Sequence, residues 1–171
     1  MTVERRVARV FRLDDAGWAR HANPWSGWSR ALTALPLLVL AVWSRVWLGA
    51  WSLAAVVAAL AWIWLNPRAF GPAADDSAWI SKGVLGERLW AHRDQQPVPE
   101  RHRIVPHVLN LAQLSGVPFL VWGLVGLQLW PTVLGTVLIS GLKLWYVDRM
   151  AILYGDMTTT CPRLRYRRPV V

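Results

Sequence analysis

Polar and ionisable side chains of this chain gather where its long apolar runs begin and end, so these positions are the natural places for chemistry. On the last predicted helix, helical spacing puts Asp148, Arg149 and Asp156 on one face, and Lys143 and Tyr154 on the opposite face. An ionisable cluster at the mouth of a helix bundle can bind a lipid headgroup or an ion. The full candidate cluster is His21, Asn23, Asn66, Arg68, Glu87, Arg88, His107, Asn110, Lys143, Asp148, Arg149, Tyr154 and Asp156.

The same residues could instead hold helices together. Polar side chains that hydrogen-bond across apolar helices contribute only about 0.6 to 2 kcal/mol each, and such pairing is common. The sequence has no G-x-S-x-G, H-E-x-x-H or Walker-type phosphate loop, so no catalytic residue is assigned and no cofactor is expected. The spacings of His92, His102 and His107 fit no standard metal-binding pattern, and Cys161 is the single cysteine, so no metal site is predicted.

Four apolar helices are expected to position these residues. Residues 31–65 carry one charge, Arg45, which lies between Trp43 and Trp47, and this pattern predicts two membrane-spanning helices joined by a tight turn. A second pair is predicted over 107–129 and 131–157, with the turn at Trp130-Pro131. The predicted fold is therefore all-α: a polytopic membrane protein whose four transmembrane helices form two hairpins, with cytoplasmic amphipathic segments.

The chain divides into five predicted segments. Residues 1–27 are a basic amphipathic N-terminal segment that begins with a helix over 1–12, and 28–65 are the first hairpin. Residues 66–106 are a polar loop, 107–157 the second hairpin, and 158–171 a basic tail. The loop contains one predicted helix, 77–93, whose apolar residues form no clean stripe. We therefore expect that helix to lie at the membrane interface or to be partly buried.

Charge predicts the orientation and the partners. The chain has a net charge of +9, with 54% hydrophobic and 17% charged residues, which favours a membrane protein with basic ends over a nucleic-acid-binding protein. Apart from Arg45, its Lys and Arg residues lie towards the N-terminal segment, the central loop, or the end of the fourth helix and the tail. The positive-inside rule then makes both termini cytoplasmic. Anionic lipid headgroups at the cytoplasmic face are the expected partners, and the small-residue faces Ala54-x-x-x-Ala58 and Ala112-x-x-x-Gly116 allow homo-oligomers.

Several strings in the chain occur in a characteristic order. They are Trp18-x-x-His21-x-Asn23-Pro24-Trp25, Trp43-Ser44-Arg45, Trp64-x-Asn66-Pro67-Arg68, Gly86-Glu87-Arg88 and Lys143-x-Trp145-x-x-Asp148-Arg149-Met150-x-x-x-Tyr154. In this order they resemble the prokaryotic membrane-protein family called domain of unknown function 6653, over roughly residues 11–157. The resemblance implies a protein of the cytoplasmic membrane of a bacterium or archaeon, and it implies no activity.

Three classes of function remain open. The favoured one is a non-enzymatic scaffold or partner subunit. The alternatives are an enzyme that acts on a lipid or isoprenoid headgroup at the cytoplasmic face, and a small transporter or channel that would need to oligomerise. A scaffold predicts that the polar residues pair with each other, whereas an enzyme predicts a polar pocket open to the inner leaflet.

Overall fold

The computed structural model describes residues 14–166, and this part of the chain is all-α. Its N-terminal half contains α1 (Asp15–His21), α2 (Pro24–Trp43), α3 (Arg45–Leu48), a 3-10 turn (Gly49–Trp51) and α4 (Ser52–Ala69). Its C-terminal half contains α5 (Trp79–Ala91), a 3-10 turn (Glu100–His102), α6 (Val105–Leu114), α7 (Gly116–Gly126), α8 (Leu129–Thr160) and a last 3-10 turn (Pro162–Leu164). The helix expected over 1–12 and the end of the basic tail lie outside the described residues.

The first hairpin is formed by α2 and α4. Asn23 caps α2 by accepting a hydrogen bond from the backbone N–H of Trp25 (3.0 Å), and Pro24 occupies the first helical position. The chain turns back through Gly49, whose φ of +52° suits a residue without a Cβ. Helix α4 continues to Ala69, past the expected end at residue 65. Pro67 lies in its last turn, so the backbone hydrogen bond that a proline cannot donate is lost only at the end of the helix.

The second hairpin pairs α6 and α7 with α8. The predicted single helix over 107–129 is divided at Ser115 into α6 and α7, and the turn lies at Leu127 and Gln128, three residues before the expected position. Glycines bring the backbones close together: a Cβ on Gly123 would lie 2.4 Å from the backbone nitrogen of Thr132.

Helix α5 forms the centre of the molecule, more buried than the interface-lying or partly buried helix that we expected. Ile80, Val84, Leu85 and Trp90 of this helix are all at most 4% exposed. They belong to two adjoining apolar clusters that also contain residues of α8, among them the fully buried Met150. The absence of a single apolar stripe follows from this burial, because α5 contacts neighbours on several sides.

Both hairpins turn at the same end of the bundle. The guanidinium of Arg45, which follows α2, donates hydrogen bonds to the backbone carbonyls of Leu124 and Val125 near the end of α7, the latter at 2.9 Å. These carbonyls belong to the last turn of α7, where backbone acceptors lack helical partners. The single charge of the first turn thus joins the two hairpins.

Two runs, Pro24–Ala69 and Glu100–Gly126, are long and apolar enough to cross a membrane by length and composition. Their most apolar windows are only 11% and 17% buried, so most of these apolar side chains face outwards. Helix α8 is not one of the two runs, and its C-terminal half carries Asp148, Arg149 and Asp156. The prediction of four transmembrane helices is therefore not confirmed, whereas the prediction of an all-α fold is.

Candidate functional site

A cavity of about 290 Å³ lies between α2, α5 and α8, and the end of α1 closes one side of it. Its apolar wall includes Ala31, Ala34 and Leu35 of α2 and Ile139 and Leu144 of α8. Its polar residues are His21, Arg30, Glu87, Gln113, Ser140 and Lys143. The cavity thus has the two-sided lining that suits a ligand with a charged end and an apolar body.

Arg30 is positioned by its own helix. Asn23 and Pro24 start α2, and Ser26 and Arg30 then lie one helical turn apart on the same face. The Arg30 guanidinium donates hydrogen bonds to the hydroxyl of Ser26 (2.5 Å) and to the backbone carbonyl of His21 (3.2 Å). These bonds tie the end of α1 to the second turn of α2.

Asn66 joins the two helices of the first hairpin at the cavity end. It is fully buried, accepts a hydrogen bond from the Ser26 hydroxyl (3.2 Å) and donates one from Nδ2 to the Ser29 hydroxyl (2.8 Å). Because Ser26 also accepts from Arg30, Asn66 fixes the hydroxyl that orients the guanidinium. Asn66 therefore positions a charged residue of the cavity without lining the cavity itself.

The carboxylate of Glu87 and the ammonium of Lys143 meet across α5 and α8. The Nζ of Lys143 lies 2.5 Å from Oε1 of Glu87, whose side chain is 17% exposed. The two helices approach closely because Gly83 and Gly86 face α8: a Cβ on Gly86 would lie 2.0 Å from the carbonyl oxygen of Met150. Any larger residue at Gly86 would push the carboxylate and the ammonium apart.

His21 completes the cavity as a neutral imidazole. Within the described part of the chain its Nδ1 atom is buried and has no hydrogen-bond partner, and its ring packs edge-on against Trp18. Burial, together with the positive charges of Arg30 and Lys143, lowers the pKa of His21 from 6.5 to about 3. At neutral pH the ring is therefore uncharged.

The structure divides the candidate cluster predicted from the sequence. His21, Glu87 and Lys143 line the cavity, and Asn66 belongs to the hydrogen-bond network behind it. Asn23 caps α2 and donates to the carbonyl of Gly71 (3.1 Å). Asp148, Arg149 and Arg68, which the sequence predicts in the same cluster as His21 and Asn66, do not line this cavity.

The other candidates form contacts elsewhere. Asp148 accepts hydrogen bonds from Trp79 and from Arg149 (both 3.1 Å), and Asp156 accepts one from Arg101 (2.8 Å) and lies 2.6 Å from Nε2 of His102. Arg88 pairs with Asp15 (2.6 Å), and the Tyr154 hydroxyl donates to Asp76 (2.8 Å). Arg68 lies over the ring of Trp64, His107 packs edge-on against Trp90, and Asn110 accepts from Gln113 (3.3 Å). The contacts of Asp148 with Trp79, of Arg88 with Asp15 and of Tyr154 with Asp76 join different elements, whereas the Arg68–Trp64 and Asn110–Gln113 contacts lie within α4 and α6.

Ser26, Ser29 and Arg30 were missed by the sequence analysis. Their positions follow the Asn-Pro start of α2 at helical spacing, and this pattern could have identified them as one polar face. Among the described residues no group of three or more His, Cys, Asp or Glu is placed to hold a metal ion.

Comparison with known proteins identifies a family. No match was found among curated proteins or among solved structures. A family model described as a family of unknown function, DUF6653, matches residues 2–169, which is nearly the whole chain. The chain therefore belongs to the DUF6653 family.

Proposed function

We propose that this chain is a small integral membrane protein with four spanning helices and both termini on the cytoplasmic side, and that its polar cavity binds the headgroup of an anionic lipid. In this arrangement the turns after α2 and α7 face the outside, and α1 and α5 lie at the cytoplasmic boundary. The proposed role is that of a non-enzymatic lipid-binding scaffold or partner subunit.

Exposed tryptophans support this placement, because tryptophan is enriched at both interfaces of a membrane. One group lies at the cavity end of the bundle and the other at the turn end. The cavity-end group is Trp25, Trp28, Trp64 and Trp145, and the turn-end group is Trp47, Trp51 and Trp130. The apolar helix surfaces between the two groups are exposed, which is costly in water and favourable in lipid.

The observation that carries the binding proposal is the composition of the cavity. Two cationic side chains, Arg30 and Lys143, line it with one carboxylate, Glu87, and an apolar wall adjoins them. A guanidinium and an ammonium are the usual partners of phosphate oxygens, and arginine can offer two parallel donors. A lipid would place its phosphate between these groups and its acyl chains along the apolar wall.

The pairing of the other polar residues supports the scaffold part of the proposal. Asp148 and Asp156 each have at least two polar partners within the protein, and the Tyr154 hydroxyl bonds both Asp76 and the backbone of Tyr166. Satisfied groups of this kind stabilise a fixed arrangement of helices.

The test is lipid retention by the purified protein. Wild-type protein and the variants Arg30→Gln and Lys143→Gln would be exchanged extensively into detergent, and the bound phospholipid would be measured by native mass spectrometry. We expect the wild type to keep phospholipid, and each variant to bind it about tenfold more weakly because a charge-assisted contact to phosphate is lost.

Matched controls are Arg103→Gln and Lys82→Gln, which remove the same charges outside the cavity. Both should retain lipid as the wild type does. If Arg30→Gln fails to fold, Lys143→Gln still tests the proposal. The Lys143 side chain is half exposed, and its described ion pair is the one with Glu87, so we expect this variant to fold. Equal retention by wild type and a folded Lys143→Gln protein would contradict the proposal.

A further inference from the structure

The charge in the cavity limits which headgroup fits, if the proposed lipid binding is correct. Among residues 14–166, Arg30 and Lys143 contribute two positive formal charges to the lining, Glu87 contributes one negative charge, and His21 is neutral, so the described lining carries a net charge of +1. An unbalanced charge next to an apolar wall is unfavourable. A ligand with a single negative charge balances the cavity, whereas a zwitterion leaves the excess positive charge and a dianion creates excess negative charge.

The unsatisfied nitrogen of His21 gives a second, independent restriction. His21 lines the cavity, and its Nδ1 atom is buried and has no hydrogen-bond partner within the described residues. A buried polar atom without a hydrogen bond costs about 1 to 3 kcal/mol, so an occupant that bonds it gains that energy. A hydroxyl group fits either tautomer of the imidazole, because it both donates and accepts.

We infer that the cavity selects a phosphodiester lipid with one negative charge and a hydroxyl-bearing headgroup, of which phosphatidylglycerol is an example. The phosphate lies between Arg30 and Lys143, and the headgroup hydroxyl bonds Nδ1 of His21. Glu87 keeps Lys143 in place and lowers the net charge, so that phosphomonoesters with two charges are disfavoured. The acyl chains lie along Ala31, Ala34 and Leu35 of α2.

A lipid competition experiment tests this selectivity. Delipidated protein would be mixed with equal amounts of phosphatidylglycerol, phosphatidylethanolamine and phosphatidic acid, and native mass spectrometry would measure the fraction of protein with each lipid bound. We expect the wild type to prefer phosphatidylglycerol on the order of tenfold. Glu87→Gln raises the cavity charge to +2 and should shift the preference to phosphatidic acid, whereas Lys143→Gln lowers it to zero and should remove the discrimination against phosphatidylethanolamine.

The hydroxyl is tested separately with phosphatidylmethanol, which has the same charge as phosphatidylglycerol and no headgroup hydroxyl. We expect the wild type to bind phosphatidylglycerol several-fold more tightly than phosphatidylmethanol, and His21→Phe to bind the two equally. Glycerophosphoglycerol, the free headgroup, should not compete with the lipid at equal concentration. Effective competition by the free headgroup would exclude a lipid as the preferred ligand.

The two proposals fail in different ways. If lipid binds in the cavity but wild type, Glu87→Gln and Lys143→Gln show the same headgroup preference, the charge rule is wrong and lipid binding stands. If Arg30→Gln and Lys143→Gln keep lipid as well as the wild type does, the lipid site itself is wrong. A folded Lys143→Gln protein is sufficient to decide between these results if Glu87→Gln does not fold.

Discussion

At the scale of single residues, the site depends on a few side chains whose surroundings differ from their usual ones. His21 is the clearest case, because burial and two nearby cations keep its ring neutral while its Nδ1 atom has no partner in the part of the chain that the structure describes. Arg30 is fixed by Ser26 and by the carbonyl of His21, and so Arg30 and His21 depend on each other. The cavity is therefore a coupled arrangement in which changing one residue alters its neighbours.

His21 makes the stability of the protein depend on pH. Its pKa is 6.5 when unfolded and about 3 when folded, so below pH 6.5 the unfolded state binds more protons. Stability is therefore full above about pH 6.5 and falls as the pH drops towards 3, by up to about 1.4 kcal/mol per pH unit. The charged groups that line the cavity with His21 are Arg30, Glu87 and Lys143.

The measurement is the thermal midpoint in detergent between pH 7.5 and 4.5, for wild type and for His21→Gln. The variant removes the titrating group, so its midpoint should fall less steeply than that of the wild type. Parallel pH curves would mean that His21 does not titrate in this way.

At the scale of elements, α5 and its close approach to α8 bring Glu87 to Lys143. The first hairpin was predicted to begin at residue 28, whereas α2 begins at Pro24, where Asn23 caps it. Helix α8 was predictable from its uninterrupted run, because local sequence determines helix length. The burial of α5 was not predictable, since it depends on the close contact of Gly83 and Gly86 with α8, which lies far along the chain. For the same reason the sequence placed Asp148 and His21 in one cluster, although they face different partners.

Replacing Gly86 by alanine should be strongly destabilising. The added methyl group would lie 2.0 Å from the carbonyl oxygen of Met150, so α5 and α8 would have to separate. We expect a loss of about 1 to 3 kcal/mol and weaker lipid retention, because Glu87 and Lys143 would move apart. Gly141→Ala is the matched control on α8, since its new Cβ would meet nothing within 4 Å. Thermal unfolding in detergent would measure both, and equal midpoints would contradict the close packing of α5 on α8.

At the scale of the whole molecule, polar and turn-forming residues lie at opposite ends of the bundle. Arg45 joins the two turns, and the Asn66 network with the cavity lies at the other end of the first hairpin. The positions of the Lys and Arg residues predicted that the turns lie at one end of the bundle and the polar segments at the other. This prediction is possible because charged residues of an apolar helix hairpin are placed at the ends of its helices. The proposed orientation follows from the same asymmetry.

Cysteine labelling in intact cells tests that orientation. In a Cys161→Ser background, Ala50→Cys lies in the first turn and Ala74→Cys in the loop before α5, and both positions are exposed. A membrane-impermeant thiol reagent should label Ala50→Cys and should label Ala74→Cys only after the cells are opened. Labelling of Ala74→Cys from outside would reverse the proposed topology.

The most direct test of the account is the distance between the Lys143 nitrogen and a lipid phosphorus. Lys82 and Lys143 are the lysines of the chain, so Lys82→Arg leaves a single ¹⁵Nζ signal after lysine labelling. Lys143→Arg is the control, because it reports only contacts of Lys82 with surrounding headgroups. In protein reconstituted with phosphatidylglycerol, solid-state ¹⁵N–³¹P dipolar recoupling should give a distance on the order of 4 Å for Lys143, as expected for an ammonium bonded to a phosphate. A Lys143 signal with no more ³¹P dephasing than that of Lys82 would contradict lipid binding in the cavity.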